Sequence, residues 1–217
     1  MKDKDKSLDV NEIFYSIDGE GIRAGQLAVF IRLNGCNERC SYCDTSYALK
    51  FANNMMGICE ILDEVSVYSC KNVTLTGGEP LYQENSLGLV KALSDYEVNI
   101  ETNGSLDVGD FILDNTIITM DIKTPSSNME SLNLYENIKK LRGRDVLKFV
   151  VGSKEDMDFT YKIIDAYKPA CHIYLSPVFG QIDPANIVEK MKEYKDDQVK
   201  LQLQMHKFIW NPDQRGV

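Results

Sequence analysis

Apolar and polar positions along this chain fall into two alternating rhythms. Short runs that are apolar and partly β-branched recur at Leu27 to Leu33, Val73 to Thr76, Val98 to Thr102, Thr116 to Ile122, Val146 to Val151, His172 to Leu175 and Lys200 to Gln204. These read as strands. Between them, helical spacing of apolar residues appears at Ile58 to Tyr68, Ser86 to Ser94, Leu132 to Lys140, Met157 to Ala166 and Ile187 to Tyr194. Strands alternating with helices imply parallel pairing through right-handed crossovers, hence an α/β fold. Six to seven strands fall short of the eight of a closed TIM barrel, so the expectation is a partial, TIM-like barrel that stays open. No repeat, low-complexity tract or linker interrupts the rhythm, and the whole chain, 1–217, is expected to form one domain, with 1–10 a flexible N-terminus.

Composition narrows the class. Of 217 residues, 43% are hydrophobic, enough for one sizeable core. The first residues, MKDKDKSL, are charged, and no uncharged run approaches the roughly 20 residues that span a bilayer, so a cytoplasmic protein without membrane attachment is expected. A formal charge of −9 gives no general attraction to nucleic acid. Six cysteines in a reducing compartment read as metal ligands or core residues rather than disulfides.

Chemistry in parallel α/β folds gathers at the carboxyl ends of strands. Directly after the first strong strand stand Cys36, Cys40 and Cys43, three thiols within eight residues on a polar loop. Thiolates ligate iron-sulfur clusters, and three of them leave one iron of a cubane open. An open position marks a catalytic site. A zinc knuckle would need a fourth ligand from Cys59, Cys70, Cys171 or a histidine, and those three cysteines read better as core residues. At the end of the next strand, Thr76-Gly77-Gly78-Glu79-Pro80 offers glycines that let backbone approach a ligand closely.

The spacing Cys-x3-Cys-x2-Cys, with the aromatic Tyr42 before the last cysteine and Gly-Gly-Glu-Pro one βα unit later, resembles the signature of radical S-adenosylmethionine enzymes. The resemblance implies a [4Fe-4S] cluster on the three cysteines, with S-adenosylmethionine on the open iron as the source of a 5′-deoxyadenosyl radical. Four more stretches, Ile13 to Gly21, Phe30 to Leu33, Cys43-Asp44-Thr45 and Gln204 to Phe208, together resemble the 7-carboxy-7-deazaguanine synthase family. Members contract the ring of a carboxytetrahydropterin on the route to queuosine and other deazapurines. This resemblance runs from about Asn11 to the C-terminus.

Site residues follow from it position by position. Ile17, Asp18 and Gly19 match the segment that holds the pterin, Arg32 the residue that meets the substrate carboxylate, Thr76 a further substrate contact, and His206 a donor to a pterin oxygen. Many members carry Gln where this chain has Asp18. Tyr42, Cys43, Asp44, Gly78 and Lys123 match cofactor contacts, with Ser126 and Ser176 in neighbouring loops. Thr45 matches a Mg2+ ligand, although its place also suits a helix N-cap. The resemblance also implies a homodimer and an electron donor such as flavodoxin or ferredoxin. Two rivals remain at this point: a glycyl-radical activase, whose substrate is a protein, and a non-catalytic zinc or iron-sulfur binding module.

Overall fold

The computed structural model describes residues 6–195 and 197–217. One nine-stranded sheet organises them, in the order β3-β1-β2-β4-β5-β6-β7-β8-β9. The strands are β1 (Ser7–Ile17), β2 (Leu27–Leu33), β3 (Met55–Gly57), β4 (Asn72–Gly77), β5 (Glu97–Thr102), β6 (Thr116–Ile122), β7 (Val146–Val151), β8 (His172–Pro177) and β9 (Val199–Leu201). The seven expected strands form, the last only as Val199–Leu201 rather than Lys200 to Gln204, and pair in parallel from β2 to β9, while β1 pairs antiparallel with both β2 and β3. The sheet is open, with β3 and β9 at its edges.

Two strands were not expected. β1 was hidden because a register shift between Val10 and Glu12 breaks its alternation, and β3 is only three residues long. β1 also corrects the flexible N-terminus: Ser7–Val10 are strand, with Leu8, Asp9 and Val10 buried, and residues 1–5 lie outside the described residues. The Asp9 carboxylate accepts from the backbone N–H groups of Ala52, Asn53 and Asn54, so it holds the return chain beside the strand.

Four helices cover the crossovers: α1 (Ile58–Ser66), α2 (Ser86–Ala92), α3 (Lys154–Tyr167) and α4 (Pro184–Tyr194); a last short helix, α5, is His206–Ile209. The helix expected over Leu132 to Lys140 is instead two 3-10 pieces, Glu130–Leu132 and Tyr135–Lys140. Asn137 explains this. Its buried side chain donates to the carbonyls of Gly104 and Leu106 and accepts from Val108 N–H, fastening the loop after β5. An asparagine used that way competes with helical hydrogen bonding.

Parallel strands covered on both faces usually read as unbroken hydrophobic runs. Here they alternate. Ile31, Leu75, Ile100, Ile118, Leu147, Phe149 and Leu175 point outward and join the buried cluster that contains Ile58, Ile61, Leu89, Tyr161 and Ile187 of the helices. The intervening residues, Arg32, Thr74, Thr76, Asn99, Glu101, Thr119, Asp121 and Lys148, turn to the concave face. The core therefore sits outside the barrel, and the inside is left polar.

Candidate active site

That polar concave face opens into a cavity of about 280 Å³. The loop after β2 carries the three cysteines across it. Cys40 and Cys43 line the cavity; Cys36 lies behind them, its sulfur accepting from the N–H of Glu38. Burial pushes all three thiols up, Cys40 to about 12, so at neutral pH they hold their protons until a cation compensates the charge. The Oε1 of Glu38 is buried in the same loop without a hydrogen bond, and burial raises that carboxyl to about 7. Buried soft donors and a cationic neighbour, Lys123, suit a thiolate-ligated iron cluster.

Thr76-Gly77-Gly78-Glu79-Pro80 clamps this loop from β4. Gly78 N–H donates to the Leu33 carbonyl at 2.9 Å, and Glu79 N–H to that of Gly35 at 2.8 Å. A Cβ on Gly78 would collide with the Gly35 carbonyl, so no other residue allows the approach. Glu79 is fully buried and holds the next strand end, accepting from Thr102 Oγ1 and the N–H groups of Leu81 and Asn103.

Other expected residues converge on the cavity. Ile17, Asp18, Gly19, Arg32, Thr76 and His206 line it, as do Tyr42, Asp44, Thr45, Gly78 and Lys123. Gly19 faces the His206 ring so closely that a Cβ would strike Nδ1, which ties the segment after β1 to α5. Burial lowers His206 despite the opposing charges of Glu20 and Asp44. Asp44 is half-exposed; against partial burial, the Lys207 ammonium at 2.9 Å holds its carboxyl near 2. Thr45 Oγ1 donates to Asp44 Oδ1 at 3.0 Å and makes no N-cap bond. The Arg32 Nε donates to Glu12 at 2.8 Å; its guanidinium lies over the rings of Phe14 and Tyr47.

Ser126 and Ser176 fall outside the cavity lining. Ser126 braces the cysteine loop, its carbonyl accepting from Ser41 Oγ at 2.5 Å, and its hydroxyl meets Ser153. Ser176 is fully buried and donates to the Gln202 carbonyl, closing β8 onto the chain beyond β9. The other cysteines also separate from the loop. Cys70 bonds the carbonyls of Leu27 and Asn72, and Cys171 precedes β8, so both sit at the amino ends of strands, opposite the loop. They pack against the core as expected; Cys59 is exposed on α1, where a core position was expected. A zinc knuckle with Cys70 or Cys171 as fourth ligand is ruled out by that separation.

Sequence reasoning missed the charged floor. Lys148 joins Glu20 at 2.7 Å and lies 3.9 Å from Asp121, which in turn meets Lys123 at 3.1 Å. Burial disfavours the charge on both lysines, but their carboxylate partners outweigh it and keep them protonated. Gln204 donates to Glu20, and Thr76 to Glu101, at 2.8 Å each. Burial chiefly, with Asp18 and Glu20 adding, raises Glu101 to about 7 against the opposing charge of Lys148. The signal was present: Asp121 and Lys148 are charges within mostly apolar strands, and Glu101 stands two residues from Asn99 on β5. The tail from Pro212 to Val217 lines the cavity as well, with the Arg215 guanidinium 3.8 Å from the Tyr47 ring centroid.

Comparison with known proteins accounts for this arrangement. Residues 30–170 match the Radical SAM superfamily model. The chain is 46% identical to a 7-carboxy-7-deazaguanine synthase of Clostridium acetobutylicum, over 96% of this chain and 98% of that one. It is 40% identical to the 7-carboxy-7-deazaguanine synthase of Chlorobaculum tepidum, over 97% of each. The crystal structure of QueE from Escherichia coli shares the fold, with a TM-score of 0.74 at 23% identity, covering 91% of this chain and 94% of that one. A cysteine loop over the mouth of an open, polar-lined barrel and near full-length likeness to these enzymes lead to one conclusion: the chain belongs to the radical SAM superfamily and, within it, to the 7-carboxy-7-deazaguanine synthase family.

Proposed function

We propose that this chain converts 6-carboxy-5,6,7,8-tetrahydropterin to 7-carboxy-7-deazaguanine by radical ring contraction with loss of ammonia. The observation that carries the reading is the polarity of the cavity along its depth. Arg32 pairs in register with Thr76, whereas the Thr74 that holds Asp18 lies two residues deeper on β4, about 7 Å below. A cation therefore stands near the mouth, and a buried acceptor, Asp18, stands beneath it. A carboxylated pterin has that polarity, with an anionic end and an N–H-rich aminopyrimidinone edge.

When bound, the [4Fe-4S] cluster and S-adenosylmethionine supply a 5′-deoxyadenosyl radical that removes a hydrogen atom from substrate. The chain's own residues bind, orient and exclude water. Cys36, Cys40 and Cys43 hold the cluster. Gly78, Tyr42, Asp44 and Lys123 meet S-adenosylmethionine. Arg32 offers its Nη groups, which carry no hydrogen bond among the described residues, as a fork for the substrate carboxylate. Thr76 and Glu101 flank the heterocycle, and Glu101, with its raised carboxyl, can carry a proton at neutral pH. Thr45, with Asp44 beside it, would hold Mg2+.

The chain works as one domain, which the single continuous sheet supports. No helix among the described residues is long and apolar enough to cross a membrane, in keeping with action in the cytoplasm. A homodimer and a low-potential electron donor such as flavodoxin or ferredoxin complete the reading. Anaerobic incubation of reconstituted protein with 6-carboxytetrahydropterin, S-adenosylmethionine, Mg2+ and dithionite should yield 7-carboxy-7-deazaguanine by mass spectrometry. Cofactor cleavage without that product would overturn the substrate assignment.

A further inference from the structure

Arg23 lies on the turn between β1 and β2, where a surface residue is the ordinary expectation, yet it is only 6% exposed. Its side chain runs into the barrel. There Nη1 donates to the Glu97 carbonyl at 2.9 Å, and Nη2 donates to the Val73 carbonyl at 3.0 Å and Thr74 Oγ1 at 2.7 Å. Both carbonyls stand at the amino ends of β4 and β5, so the guanidinium plugs the barrel from below. The same Nη2 reaches Asp18 Oδ2 at 3.3 Å, and Thr74 Oγ1 donates to that oxygen at 2.9 Å.

Asp18 is 1% exposed and lines the cavity. Its backbone is already committed, N–H to the Gln26 carbonyl and C=O from the Gly25 N–H, so the turn fixes where the residue stands. Of its two carboxylate oxygens, Oδ2 is taken by Arg23 and Thr74. Oδ1 carries no hydrogen bond among the described residues and is the oxygen left for a ligand. Burial raises the Asp18 carboxyl, and the guanidinium below it offsets part of that cost and sets its rotamer. A ligand seated against Oδ1 must present an N–H donor.

We propose that Arg23 is a positioning residue for substrate recognition: it anchors one oxygen of Asp18 so that the other accepts from the N–H edge of the bound heterocycle. The inference rests on the pterin reading above. It makes Asp18 and Arg23 one functional unit, although only Asp18 reaches the cavity. Lysine at 23 could neutralise the charge but could not span Val73, Thr74 and Glu97 at once.

The test is steady-state kinetics of the reconstituted enzyme with 6-carboxytetrahydropterin, thermal melts alongside, for wild type, Arg23→Lys, Asp18→Asn and the double variant. Wild-type turnover tests the substrate reading itself; if there is none, the inference falls with it. With turnover, Arg23→Lys should raise KM by about tenfold or more while kcat stays within about threefold. Asp18→Asn should do the same, and the double variant should be no worse than the larger single effect, because the residues act as a unit. A role confined to stability would lower the melting temperature and the yield of active enzyme but leave KM alone. A KM for Arg23→Lys within about twofold of wild type, or single effects that multiply in the double variant, would overturn the proposal. Should Arg23→Lys fail to fold, Asp18→Asn decides, since it keeps the size and most hydrogen bonds of the native residue: an unchanged KM there is equally fatal.

Discussion

At the scale of single residues, the site is a set of groups whose burial makes each depend on a partner. The cysteines show it best: Cys36, Cys40 and Cys43 share one loop, whereas Cys70 and Cys171 stand at the other end of the strands and Cys59 on the surface. Alanine at any of the first three should remove iron from reconstituted protein and end S-adenosylmethionine cleavage, and alanine at any of the last three should leave the iron content intact. Iron analysis with the visible spectrum decides it. Arg32→Ala, which strips the cation from the cavity mouth, should cost about 2–5 kcal/mol of substrate binding with the cluster spectrum unchanged. A substrate titration reads this directly. Glu101 makes a pH prediction. Its folded carboxyl titrates near 7 against an ordinary 4.5, so the folded state holds the proton more tightly than the unfolded chain. Its contribution to stability is thus greatest below about pH 4.5 and is lost as pH rises through 7. Glu101→Gln, always neutral, should melt increasingly above wild type as pH is raised from 5 to 7.5.

At the scale of elements, the cysteine loop and the Gly-Gly turn after β4 form one unit, joined through the Leu33 and Gly35 carbonyls. Gly78→Ala drives a methyl into the Gly35 and Ala48 carbonyls, and both are backbone that cannot step aside cheaply. The variant should therefore assemble cluster poorly as well as bind S-adenosylmethionine weakly, measured as iron content and as equilibrium binding of the cofactor. This unit was legible in the sequence because its spacing is local: three cysteines in eight residues and two adjacent glycines. So were the seven parallel strands, whose outward apolar residues repeat every second position. What was not legible depends on long-range pairing. β3 is three residues that make a strand only because β1 lies beside them, and the stretch 130–140 loses its helix because Asn137 is drawn to a loop about 30 residues earlier. Ser126 and Ser176 were placed by neighbouring loops alone; Ser126 stands on a 3-10 turn and Ser176 within β8, and both side chains bond away from the cavity lining.

At the scale of the whole molecule, the open barrel raises a question that the individual elements do not: what keeps water from the site. A sheet of seven parallel strands leaves a gap where an eighth would close it. Two segments far apart in sequence border the cavity, one from its floor and one at its mouth. The turn after β1 enters from one side, held by Gln204 on Glu20 and by the close fit of Gly19 to His206; the C-terminal tail enters from the other, through Arg215 stacked on Tyr47. Tyr47 also donates to Glu12, which holds Arg32, so the tail rests on the group that orients the mouth cation. The tail is therefore expected to buttress Arg32 through Tyr47 and to shield the mouth. Removing residues 212–217 should leave the cysteine loop, and hence iron content, unchanged, because none of those residues touches it by any hydrogen bond or ion pair among the described residues. Substrate KM should rise by about tenfold or more as the Arg32 pocket opens to water, where a paired charge is worth far less. A radical formed in a wetter cavity should also be quenched more often, so cofactor cleaved per product formed should increase. Chromatographic counting of 5′-deoxyadenosine against 7-carboxy-7-deazaguanine gives that ratio. A truncated enzyme with wild-type KM and wild-type coupling would show that the tail only borders the cavity and takes no part in closing it.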